Sequence, residues 1–221
     1  MKCGGTSVES AFYQDLSQFG YCSGDPAYPS IGDKAGIMHH TPPSHFFAFP
    51  NSHIYEDYTS VSIARNPYDA AVSYYWYIIL KNQDRPDIAK QRICSGDSKP
   101  VIQGKFESVM LADNSQEDDP LAQSLGFSKQ FLCPLVYLCF VNIRFFDRRI
   151  NYFLRYEDLE CQYKKLCRHL KIKANILPKH KKYPGRITDI HFSEYHTDVT
   201  RNVIESYFED VNQAFSYKAT Q

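Results

Sequence analysis

The stretch YTSVSIARNPYDAAVSYYWYIILK constrains the fold more than any other part of this chain. Residues 58–65 are rich in β-branched side chains, whose stiff χ1 suits a pleated strand. Asn66 and Pro67 follow at once. An N-cap Asn accepts from an orphan backbone N–H, and Pro at the first helical position gives up a donor that had no partner. A strand that runs straight into a capped helix is half of an α/β unit. A second half-unit follows: INYFLRYEDL reads as a strand, and LECQYKKLCRHLKI as a helix with Leu159, Leu166 and Leu170 on one side. Earlier, SVESAFYQDLSQFG spaces Val8, Phe12 and Leu16 at i, i+4 and i+8, with Gly20 just past the end, and GIMHH reads as a short buried strand. DVTRNVIESYFEDVNQAFSY closes the chain as an amphipathic helix. Strand–helix alternation predicts an α/β fold, a central parallel sheet flanked by helices, with ligands at the carboxyl ends of its strands.

Organisation is simple. At 221 residues the chain is expected to form a single domain, 1–221. Residues 81–130 read as an acceptor-side insertion, in which QDRPD, SGDSKP and NSQEDDP are loop signals around a short helix at KFESVMLA. Lys and Arg balance Asp and Glu at 25 each, which argues against a nucleic-acid partner and against a polybasic membrane-surface protein. The seven cysteines show no CxxC pair and no zinc spacing with His, so they read as structural thiols. The longest apolar run, 131–141, is broken by Pro134 and falls well short of the roughly 20 residues a membrane span needs.

Three segments fall where a strand end is expected: KCGGTS, MHHTP and ARNP. In KCGGTS, Gly4 and Gly5 can take positive φ and turn backbone N–H groups toward an anion, and Thr6 and Ser7 then open a helix. The lysine precedes the glycines, so the Walker A pattern is absent. An ordinary capped Gly-Gly turn would read the same way. Arg65 ends a strand and Ser73 lies two turns into the next helix, a guanidinium fork and a hydroxyl suited to a phosphate. A surface arginine and a solvated serine are the plain alternative.

In this order and at this separation, KCGGTS and RNPYDAAVS resemble the two phosphate-binding elements of the sulfotransferases, which use 3′-phosphoadenosine-5′-phosphosulfate (PAPS). LRYEDL and YHTDVTRNVIESYFEDVNQAFSY are similar to the late strand and final helix of the carbohydrate-sulfotransferase branch. The resemblance implies a P-loop-like three-layer fold and transfer of a sulfuryl group to a hydroxyl, on a carbohydrate acceptor. It implies that Lys2 contacts the 5′-phosphate and the bridging oxygen, that Cys3, Gly4, Gly5, Thr6 and Ser7 complete the 5′-phosphate loop, and that Arg65 and Ser73 hold the 3′-phosphate. His39 matches the position of a general base, with His40 beside it as the second candidate. Lys181, Lys182, Tyr183 and Arg186 occupy the place of a basic loop for the 3′-phosphoadenosine end. No metal is implied, because lysine and backbone donors supply the charge stabilisation that Mg²⁺ gives in kinases. Arg155 and Glu157 read as a structural ion pair.

The family pattern has an apolar strand ending in Pro before the loop, where this chain has only Met1. The expectation is therefore an N-terminally truncated sequence. As written it would be cytoplasmic; a longer form with an upstream membrane anchor would belong in the Golgi. Two other readings stand beside the enzyme: a non-catalytic relative that retains the fold, and a nucleotide-dependent phosphotransferase.

Overall fold

A computed structural model describes residues 8, 11, 59–112, 133–143, 146–177, 187 and 189–219. The β-branched run forms strand β1, Val61–Ala64, and the second predicted strand forms β2, Tyr152–Arg155. They pair in parallel, Val61 opposite Tyr152 and Ala64 opposite Arg155. A side-chain clasp fixes this register at the strand starts: Asn151 Oδ1 accepts from the Ser60 N–H (2.7 Å) and the Ser60 hydroxyl (2.8 Å), while the Asn151 N–H donates to Ser60 Oγ. Parallel strands joined through helices establish the mixed α/β character; among the described residues the sheet has these two strands.

Contacts divide the chain into two compact units, one of Asn66–Ile143 with Tyr183–Gln221 and one of Lys2–Arg65 with Arg144–Lys182. The second unit holds the sheet. After β2 a single 3-10 turn, Tyr156–Asp158, leads into helix α5, Leu159–His169. Its apolar stripe is Leu159, Tyr163, Leu166, Cys167 and Leu170, which pack with Leu154, Val8 and Ala11 into one core. The helix ends in a Schellman motif: the Ile172 N–H donates to the Cys167 carbonyl (3.0 Å) and the Lys171 N–H to the Arg168 carbonyl (3.2 Å). Lys171 takes the left-handed position there, at φ 57°.

The first unit is built around helix α1, Pro67–Lys81. Asn66 caps it as its sequence predicts, its side chain accepting from the Tyr68 N–H at 3.0 Å. Tyr68, Ala71, Val72, Tyr75 and Trp76 are all buried, so the helix has apolar contacts around most of its circumference. A short helix α2, Pro86–Ala89, precedes α3, Lys99–Met110. The sequence places only a short helix at KFESVMLA; the observed one begins at Lys99, with Pro100 in the first turn, and its Phe106 and Met110 are fully buried. Pro134, read from sequence as a break in the apolar run, instead starts helix α4, Pro134–Ile143. The final helix α6, Asp198–Phe215, is capped by Thr197 and packs along α4, with a break from helical geometry at Phe208. Tyr75, Phe106 and Tyr195 meet edge-on or tilted at centroid distances of 5.5–6.3 Å, and Trp76 Nε1 donates to the Tyr195 hydroxyl.

Candidate functional site

Extending the parallel register one residue beyond the ladder sets Arg65 opposite Tyr156, since Ala64 pairs with Arg155. The side chains follow that placement. The Arg65 guanidinium carbon lies 4.2 Å from the centroid of the Tyr156 ring, in cation–π contact. Arg65 is buried, at 7 % exposure, whereas Tyr156 is 37 % exposed. A guanidinium resting on an aromatic plane loses rotamer freedom before it meets a ligand. Just beyond Tyr156, Gln162 Oε1 accepts from the Arg155 N–H at 2.7 Å, tying the end of β2 to α5. The result is a braced cation at the carboxyl end of a parallel strand, the position where α/β folds take anionic ligands.

Of the residues selected from sequence, Arg65 and Ser73 are described. Ser73 is buried on α1, in the first unit, while Arg65 belongs to the second. Lys2, Cys3, Gly4, Gly5, Thr6, Ser7, His39, His40, Lys181, Lys182, Tyr183 and Arg186 lie outside the described residues. Tyr156 was not selected, because its role depends on which residues two distant strands align. Laying IAR against LRY at their strand ends would have found it.

A different histidine, His196, is conspicuous in the first unit. It is fully buried; Nε2 lies 3.1 Å from the Tyr68 carbonyl and Nδ1 lies 3.4 Å from the Thr200 hydroxyl. The carbonyl can only accept, so Nε2 carries the proton and Nδ1 faces the hydroxyl as acceptor. Burial, reinforced by the nearby Arg201 guanidinium, pushes its pKa down to about 4. This imidazole is neutral at pH 7 and has no access to a substrate; it is a structural group. Cys139 and Cys167 are likewise buried, and burial raises the Cys139 thiol to about 12, whereas Cys94 and Cys161 are exposed.

A surface groove of about 530 Å³ runs along α3, lined in part by Gln103, Glu107, Ser108 and Thr197. Its polar groups already serve the fold. Gln103 donates to the His196 carbonyl, Ser108 to the Lys105 carbonyl and Thr197 to Glu107. Among the described residues no cluster of His, Cys, Asp or Glu is placed to hold a metal ion, and no helix is long and apolar enough to cross a membrane. Comparison with protein-family models, with curated proteins and with solved structures gave no match.

Proposed function

We propose that this protein is a sulfotransferase that moves a sulfuryl group from PAPS to a hydroxyl of a carbohydrate, on a P-loop-like three-layer fold. The observation that carries the reading is Arg65: buried, stacked on Tyr156, and set at the carboxyl end of a parallel strand immediately before a capped helix. Such a guanidinium suits a phosphate, and its sequence context resembles that of a 3′-phosphate element. In this reading Arg65 and Ser73 hold the 3′-phosphate, while Lys181, Lys182, Tyr183 and Arg186 receive the adenosine end. Lys2, with Cys3, Gly4, Gly5, Thr6 and Ser7, holds the 5′-phosphate.

The chemistry assigned to the chain is a displacement at sulfur. The acceptor oxygen bonds to sulfur as the bond from sulfur to the bridging oxygen breaks. His39, or His40 beside it, takes the acceptor proton, and Lys2 hydrogen-bonds the bridging oxygen as charge develops on it. In the strand expected from the sequence at GIMHH adjacent residues would point to opposite faces, so only one of the two histidines is assigned as base.

The test is thermal unfolding with adenosine 3′,5′-bisphosphate or with Mg-ATP. A ligand that binds only the folded state raises the melting temperature as its concentration passes Kd. Stabilisation by the bisphosphate, together with sulfate transfer from PAPS to a carbohydrate, supports the reading. Stabilisation by Mg-ATP alone overturns it in favour of a phosphotransferase, and bisphosphate binding without transfer identifies a non-catalytic relative.

A further inference from the structure

The balanced net charge conceals a segregated one. Between Cys161 and Lys182 there are eight Lys and Arg and no carboxylate, so the remaining chain holds 17 cations against all 25 acids. The structure turns part of this segment outward. Lys164, Lys165 and Arg168 are exposed on α5, and Lys171 and Lys173 are exposed just after it, while the opposite side of the helix is buried in the core. Lys164, Arg168 and Lys171 follow one another at i, i+4 and i+7, a stripe of about 10 Å along the helix axis. Within α5 the carboxylate is Glu160, which pairs with Lys164 at 2.7 Å, and Glu157 and Asp158 are exposed in the turn before the helix; both side chains of the pair are more than half exposed, so solvent screens it.

A second feature belongs to the same stripe. Lys171 occupies the left-handed C′ position of the Schellman motif, at φ 57°, where glycine is the usual residue because a Cβ is strained there. The fold thus keeps a cation at a position where removing the side chain would relieve strain.

We propose that the exposed face of α5, with Lys171 and Lys173, is a binding surface for a linear anionic polysaccharide. This deepens the proposed carbohydrate acceptor and rests on that reading for its catalytic purpose, while the binding itself needs no donor. The narrowness of the stripe selects the partner. A vesicle or a nucleic-acid duplex spreads its charge over an area wider than this stripe, so much of that charge would go unmatched by these cations. A flexible polysaccharide, with carboxylates or sulfates spaced along one strand, can follow the stripe alone. Lysine and arginine ion pairs with those groups supply the attraction.

The experiment measures binding of fluorescent heparin to the full chain over a salt series, with neutral dextran, phosphatidylserine vesicles and duplex DNA as comparisons and no nucleotide present. Heparin should bind, more weakly as salt rises, and K164Q/R168Q should weaken it about tenfold. K171G should raise the melting temperature while weakening heparin binding several-fold, a pairing that a purely structural lysine would not give. Unchanged heparin affinity in K164Q/R168Q, equal binding of dextran, or preference for vesicles or DNA overturns the proposal. Because these measurements omit the donor, heparin binding without bisphosphate stabilisation would defeat the sulfotransferase reading and leave this surface standing; the reverse result would do the opposite.

Discussion

His196 makes the stability of the first unit depend on pH, and the size of the effect follows from its burial. The folded-state pKa is about 4 against an ordinary value of 6.5, so the unfolded chain binds this proton more readily than the folded one. Stability is therefore fully present above about pH 6.5 and is lost as the pH falls toward 4. Linkage puts the loss at about 2 kcal/mol by pH 5 and about 3 kcal/mol below pH 4, where both states are protonated. The perturbation is His196→Gln, whose amide can still donate to the Tyr68 carbonyl that now accepts from Nε2. Trp76 gives the assay, being the chain's single tryptophan, buried in the same unit and hydrogen-bonded to Tyr195, the residue before His196. Urea unfolding followed by its fluorescence at pH 7.5 and pH 5 should show wild type losing about 2 kcal/mol more than His196→Gln between those conditions. Parallel losses in the two proteins would refute the reasoning and place the acid sensitivity elsewhere.

Three further outcomes follow from the packing and the candidate site. Phe106→Ala should cost about 3–5 kcal/mol in urea unfolding, because the fully buried ring meets Tyr75, Tyr195 and His196 and its removal leaves a cavity. Asn66→Ala should cost about 1 kcal/mol by the same measurement, the usual loss of an N-cap that accepts from the first turn. Tyr156→Phe should bind adenosine 3′,5′-bisphosphate as wild type does, while Tyr156→Ala should bind it several-fold more weakly in calorimetric titration, since the ring face and not the hydroxyl braces Arg65.

Local chemistry was readable from the sequence, and pairings between distant segments were not. The Asn66–Pro67 junction was legible because a cap and a first-turn proline act on the next few residues alone. The stripe of α5 was legible for the same reason: Leu159, Leu166 and Leu170 repeat at helical spacing, and the structure adds Tyr163 and Cys167 between them. Proline was the main source of error. Pro100 and Pro134 look like breakers when the flanking residues are polar or the run is short, yet each sits in the first turn of a helix. The break at Phe208 has no proline or glycine to announce it. Tyr156 and His196 were invisible for a different reason. One depends on the register of strands about ninety residues apart in sequence, and the other on burial against Tyr68 and Phe106. Arg65 was legible as a strand-end arginine because the strand and the Asn-Pro that follows it are contiguous in sequence.

The central claim is that Arg65 holds the 3′-phosphate of the donor. Calorimetric titration of wild type and Arg65→Ala with adenosine 3′,5′-bisphosphate and with adenosine 5′-monophosphate tests it most directly, because the two ligands differ only in that phosphate. Wild type should prefer the bisphosphate by about 1.5–3 kcal/mol, the range of a hydrogen bond to a charged group, and Arg65→Ala should lose that preference while its affinity for the monophosphate stays unchanged. An undiminished preference for the bisphosphate in Arg65→Ala would contradict the claim.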